Sequence, residues 1–269
     1  MLGYGEQEDS PTREQKIVQP LRRRVPRGIQ VQLQEAPVVR RLFDTAVVQS
    51  LLGNTEVKDP DREWTDQGRA QTQITWRKAP PGPNLTWGKA LTGEAFVSKV
   101  NSYAAFDEET TVLEVGAGYG RLLRSFLDLG IPFREYYGLD ISEQNIEYLR
   151  KQFAHPAIHF MWADVEEASL PFRFDVGFSS LTFKHLYPSF EASLRNCTRY
   201  MNPGGRFIFD LVEGTQAHIV NEGRAYVRRY SREEVVEILE KAGLELVAFD
   251  EVIHDRHYTR LLVVATKAN

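Results

Sequence analysis

One stretch of ten residues concentrates the chemistry of this chain: Val112, Leu113, Glu114, Val115, Gly116, Ala117, Gly118, Tyr119, Gly120 and Arg121. An apolar run that enters three alternate glycines and leaves as a helix lets backbone approach a ligand closely and aims amide groups at it. Two carboxylates follow where later strands should end: Asp140, 24 residues after Gly116, and Asp164. A carboxylate suits a diol, because it can accept two hydrogen bonds at once. Either acid alone reads equally well as a helix cap, but both together behind a glycine turn favour ligand binding. Further on, Ser180 to Tyr187 contains His185, a candidate general base because imidazole titrates near neutrality. The competing reading of His185 is a packing or surface histidine. A nicotinamide-binding turn would carry G-x-G-x-x-G; the sixth position of that template is Arg121, which disfavours a nicotinamide oxidoreductase.

These residues must be held by alternating strands and helices. Thr111 to Val115 reads as a short buried strand, and Tyr119 to Leu129 as a helix with Leu122, Leu123, Phe126 and Leu127 on one face, stopped by Gly130. A strand from Tyr136 to Leu139 precedes a helix opening at Ser142, with Ile146, Leu149 and Phe153 inward. Strands are expected over 157–162 and 174–178, a helix from Ser189 to Met201, a turn at Asn202 to Gly205, and a strand from Arg206 to Val212. Cys197 shares a helix face with Phe190, Leu194 and Met201, which makes it core rather than nucleophile. Ser231 and Glu234 form a capping box for the last helix, which ends at Gly243. Two extended stretches then follow without space for a helix, Leu244 to Ile253 and Tyr258 to Thr266, so they should form an antiparallel hairpin. Alternation on this scale implies a parallel sheet with helices on both faces.

From Thr111 to Thr266 this arrangement resembles the class I methyltransferases that use S-adenosylmethionine (SAM), whose first motif is an acidic residue followed by G-x-G-x-G after the first strand. The resemblance implies an α/β, Rossmann-like, seven-stranded and mostly parallel sheet in the order 3-2-1-4-5-7-6, with the last strand antiparallel and a helical or irregular extension before it. It further implies that Glu114, Gly116, Ala117, Gly118 and Gly120 cradle SAM, and that Asp140 holds its ribose. Ile141 would lie against the adenine, Asp164 with Val165 would meet its amine, and Ser179 and Ser180 would face the methionine moiety. The segment Thr86, Trp87, Gly88 and Lys89, with Tyr103, would fold over the cofactor, placing Trp87 at the site. His218, Arg224, Tyr226, Arg228 and Arg229 lie where acceptors bind in that family, the arginines suiting a carboxylate or phosphate, with plain surface charge as the alternative.

Composition narrows the partners. The 269 residues carry a formal net charge of −4 with 42% hydrophobic residues, which suits an ordinary globular protein and a small-molecule acceptor better than nucleic acid. Arg22, Arg23, Arg24 and Arg27 in a polar segment 1–35 read as a basic arm, and RNA as acceptor stays a lesser option. Residues 36–105 are expected to form a helical extension and lid, with a helix over 37–52, and 106–269 the methyltransferase domain. No apolar run approaches the ~20 residues of a membrane span, and a single cysteine, Cys197, suits a reducing compartment, here the cytoplasm. No metal is expected; His254 and His257 read as turn residues. The oligomeric state stays open, a homodimer being one option. The expected reaction transfers a methyl group from SAM to oxygen or nitrogen of a small molecule, leaving S-adenosylhomocysteine (SAH). The rivals are other SAM-fold chemistry, such as cyclisation or aminopropyl transfer, and a silent SAM-binding protein.

Overall fold

The computed structural model describes residues 55–57, 77, 93–215, 217–220, 225–255 and 258–268, all within a compact unit from Asn54 to Asn269; for 55–57, 217–220, 225, 254, 255 and 258 the backbone alone is considered. The expected arm over 1–35, the helix over 37–52 and the lid residues Thr86, Trp87, Gly88 and Lys89 lie outside the described residues. So do Arg224 and His257 and the side chains of His218 and His254.

Ten strands and five α-helices are described, in the order β1 (Thr55–Val57), α1 (Glu94–Tyr103), β2 (Thr111–Val115), α2 (Arg121–Asp128), β3 (Glu135–Asp140), α3 (Glu143–Gln152), β4 (Ile158–Trp162), β5 (Phe174–Ser179), α4 (Glu191–Tyr200), β6 (Met201–Glu213), β7 (Ala217–Val220), β8 (Ala225–Tyr230), α5 (Arg232–Lys241), β9 (Leu244–Asp255) and β10 (Tyr258–Lys267). A 3₁₀ turn spans Phe183–His185. The central seven strands run β4-β3-β2-β5-β6-β10-β9, which is the expected order, and β10 is antiparallel to both its neighbours. Beyond expectation, β7 and β8 pair antiparallel, β8 joins the end of β6 through Val212 and Glu213, and β1 pairs with β7.

Parallel strands covered on both faces must be apolar on both, and all five residues of β2 are buried. Leu113 and Val115 face one core, shared with Leu194 and Cys197 of α4 and Val235, Ile238 and Leu239 of α5. Val112 faces the other, shared with Phe96 and Val100 of α1, Leu122 and Phe126 of α2, and Ile146 and Leu149 of α3. Three layers result. Burial pushes the Cys197 thiol up to about 12, so it packs as a small apolar group and is not a nucleophile.

Three local details depart from the sequence reading. Asn202 to Gly205 belong to β6, but Phe174 pairs with Met201 and Val176 with Arg206, so these four residues bulge out of the ladder instead of ending it. Ser231 accepts the Glu234 amide at 3.2 Å as a cap should, whereas the Glu234 carboxylate turns to Arg228 at 2.5 Å, so the reciprocal half of the capping box is replaced by an ion pair. Tyr103 ends α1 with its hydroxyl on Asp250 of β9 at 2.8 Å, beside Lys99 at 2.6 Å. It pins α1 to the sheet and does not extend over the glycine turn.

Candidate active site

Because β2, β3, β4 and β5 are parallel, their carboxyl ends open on one edge of the sheet. Register places Asp140 beside Trp162 and Glu114 beside Phe178, so Gly116, Ile141, Ala163 and Ser180 all emerge there. Ligands in open α/β sheets collect at this edge.

The three glycines of the turn have different reasons to be glycine. All have positive φ, +79° at Gly116, +56° at Gly118 and +83° at Gly120. A Cβ on Gly116 would fall 2.1 Å from Thr182 Oγ1, and one on Gly120 would fall 2.4 Å from Phe153 Cε2 and 2.9 Å from Leu149 Cδ2. Those two are fixed by the protein's own packing. At Gly118 the nearest atom to a Cβ is Gly116 O at 4.0 Å, which leaves open space. Gly118 is therefore where an incoming group can meet bare backbone. The turn is anchored by the Gly116 and Ala117 amides, which donate to Leu139 O at 2.8 and 2.9 Å.

Asp140 closes onto the same turn. Its Oδ2 accepts the Gly118 amide at 2.7 Å, while Oδ1 accepts the Ser142 amide at 2.8 Å and Asn145 Nδ2 at 3.2 Å. With about four lone-pair sites on a carboxylate, room remains for about one more donor. Burial raises its pKa, opposed by those three donors. Asp164 accepts the Glu166 amide at 3.0 Å, so it also caps its own turn, and Arg77 lies 4.0 Å away. Ile141 is partly exposed at the edge, and its carbonyl accepts the exposed Trp162 indole N–H at 3.0 Å. Val165 and Ala117 are buried, Val165 packing into the α4–α5 core.

Glu114 lies below the turn and is 1% exposed, with Tyr136 donating to it at 2.6 Å. Burial pushes its carboxyl to about 8, against the pull of the Tyr136 hydroxyl and the Arg121 charge. Ser179 donates to Val115 O at 2.8 Å, a tie between β5 and β2. Ser180 accepts from Arg121 Nη2 at 3.0 Å and donates to Asp210 Oδ2 at 2.7 Å. Both hydroxyls thus have roles within the fold.

His185 is buried, and its Nδ1 lies 2.7 Å from Tyr226 O. A carbonyl can only accept, so Nδ1 carries the proton and the neutral ring keeps its lone pair on Nε2. Burial and the adjacent Lys184 charge hold its pKa well below the usual value, which keeps the ring neutral at neutral pH. Arg228, by contrast, is engaged with Glu234 and with Pro188 O, and the Arg229 stem lies 2.9 Å from the place a Gly214 Cβ would take. Tyr226 donates to Pro188 O at 3.1 Å, so these residues brace the β7–β8 hairpin.

The sequence reading did not single out Asp210, Lys184 or Arg260. Asp210 is fully buried on β6 and accepts from Ser180, from the Leu181 amide at 2.9 Å, and from Arg260 Nη2 at 3.4 Å. Leu181 has φ +64°, the one positive value at a non-glycine among the described residues. That backbone costs about 1–2 kcal/mol, offset by a hydrogen bond to a charged acceptor contributing about 1.5–3 kcal/mol. A visible signal existed: Asp210 interrupts the apolar run from Phe207 to Val212 and Arg260 directly precedes the run from Leu261 to Ala265, and a charge there needs a partner. Among the described residues, no group of three or more His, Cys, Asp or Glu side chains is placed to hold a metal, and no helix is long and apolar enough to cross a membrane.

Comparison with known proteins agrees with this geometry. Residues 113–209 match the family described as "Methyltransferase domain". A fatty-acid O-methyltransferase of Mycolicibacterium smegmatis is 29% identical over 102 residues, 38% of this chain and 37% of that protein. A malonyl-[acyl-carrier protein] O-methyltransferase of Priestia megaterium is 26% identical over 104 residues, 39% of this chain and 37% of its own length. The chain thus spans well under half the length of these relatives. Among solved structures, 1,6-didemethyltoxoflavin-N1-methyltransferase of Burkholderia thailandensis, with its substrate and SAH bound, superposes with a TM-score of 0.63 at 19% identity, covering 80% of this chain and 95% of that one. The strand order and the glycine turn agree with these matches: residues 113–209 match a methyltransferase domain, and the chain has the fold of the class I, Rossmann-like methyltransferases.

Proposed function

We propose that the protein is a methyltransferase that moves the methyl group of SAM to oxygen or nitrogen of a small-molecule acceptor, releasing SAH. The observation that carries this reading is Gly118: open backbone in a glycine turn, held by the carboxylate at the end of the neighbouring strand. SAM, when bound, supplies an electrophilic methyl on a sulfonium. The chain's own residues do the rest. Gly118 and Ala117 would present backbone to the amino-acid end, Asp140 would take a ribose hydroxyl on its remaining lone pair, and Ile141 with Asp164 would flank the adenine. Glu114 supports the turn from below. Ser179 and Ser180 act through the backbone they tie down.

His185 suits the part of general base. Its ring is neutral, its tautomer is set by Tyr226 O, and a lone pair on Nε2 can take the proton that the acceptor loses as it is methylated. Positioning supplies most of the remaining rate. The relatives named above are, by name, methyltransferases of a fatty acid, of malonyl-[acyl-carrier protein] and of 1,6-didemethyltoxoflavin, none of them an RNA, which supports a small-molecule acceptor. The lone buried cysteine fits a reducing compartment, and we assign the protein to the cytoplasm. Incubation with methyl-labelled SAM and a panel of carboxylate, hydroxyl and amine metabolites tests the reading. Label should appear in an acceptor with matching SAH; SAH binding without transfer to any class would favour a silent binding protein instead.

A further inference from the structure

We propose that Asp210 is a positioning residue that clamps the loop between β5 and His185 onto the glycine turn, and so sets the shape of the cofactor site; the inference rests on the function proposed above. The loop is Ser180, Leu181 and Thr182. Asp210 holds its first two residues by separate oxygens, Oδ2 taking the Ser180 hydroxyl at 2.7 Å and Oδ1 the Leu181 amide at 2.9 Å. The third residue, Thr182, fills the space beside Gly116 that a Cβ would need. Through Ser180 the clamp also reaches Arg121, the first residue of the helix that the glycine turn opens, at 3.0 Å. On the far side, the amide of His185 donates to Thr182 O at 2.9 Å. One buried carboxylate therefore links the cofactor turn, the loop and the candidate base.

Backbone strain at Leu181 gives the clamp its purpose. A leucine at φ +64° does not keep that conformation by its own preference, and the Leu181 amide is one of the two loop groups that Asp210 grips. Loss of the grip would let Leu181 return to negative φ, and Thr182 would withdraw from the turn. A plain counter-ion for Arg260 would need no contact with Leu181 at all.

Asparagine at 210 keeps the shape but offers one acceptor oxygen where three donors converge, the Ser180 hydroxyl, the Leu181 amide and Arg260. We expect Asp210→Asn to weaken SAH binding roughly tenfold by calorimetry on the full chain. Leu181→Gly adopts the left-handed backbone without strain, so alone it should leave SAH affinity within about twofold, and combined with Asp210→Asn it should restore most of the loss. Ser180→Ala, a milder change, cuts the link to Arg121 and should weaken SAH roughly threefold even if Asp210→Asn does not fold. Wild-type SAH affinity in either Asp210→Asn or Ser180→Ala would overturn the clamp. So would a weakened Asp210→Asn that glycine at 181 fails to rescue, since a purely structural carboxylate gives that result. If the unaltered protein binds no SAH, the functional reading itself fails, which the same titration shows before any variant is compared.

Discussion

Glu114→Gln tests the electrostatics under the glycine turn. In the fold the carboxyl is pushed from 4.5 to about 8, chiefly by burial. The native state therefore holds a proton that the unfolded chain releases between those values, and stability must fall as pH rises from about 4.5 to about 8. At ~1.4 kcal/mol for each tenfold change in proton affinity, the full penalty approaches ~5 kcal/mol above pH 8. That is a large part of a typical total stability of about 5–15 kcal/mol. Glutamine keeps an oxygen for the Tyr136 hydroxyl, which donates to Glu114 at 2.6 Å, and cannot ionise. Urea unfolding from pH 5 to 9 should show the two proteins nearly equal at pH 5 and the variant more stable by several kcal/mol at pH 9. Parallel curves for the two proteins would refute the assignment of a buried, proton-holding Glu114.

Other consequences follow from the same geometry. Gly120→Ala would drive a methyl into Phe153 and Leu149 and should lower Tm well beyond Gly118→Ala, which meets open space and costs about 1–2 kcal/mol of backbone strain; equal Tm losses would contradict the different reasons given for the two glycines. Because burial holds the His185 pKa below its usual value, the base is neutral above that lowered value, so the acid limb of kcat/KM should fall below pH 6.5; a limb above 7 would remove His185 from that role. His185→Asn should lower kcat by about 10²–10⁴ while SAH affinity holds, and an unchanged kcat would assign the ring to packing.

The sequence carried the parallel core well because its signals are local. Continuous apolar strands such as Thr111–Val115, and helix faces such as Leu122, Leu123 and Phe126, need no long-range information. The terminal hairpin was readable because no helix fits between Leu244–Asp255 and Tyr258–Lys267. The pair β7 and β8 escaped, as strands of four and six residues give too few alternations, although Asn221 to Arg224 includes a glycine in a hairpin-length connection. At the site, residue types were legible and bonding was not. Nothing in the order of residues says that Ser180 is held by Asp210, 30 positions away, or that Gly116 faces Thr182 while Gly118 faces open space. Such contacts depend on which strand lies next to which.

The most direct measurement is calorimetric titration of the full chain with SAH, repeated with Asp140→Ala and with NADH as competing ligand. The expected result is saturable binding of one SAH per chain, strongly weakened by the Asp140 substitution, and no heat from NADH. Saturable NADH binding with no response to SAH would contradict it.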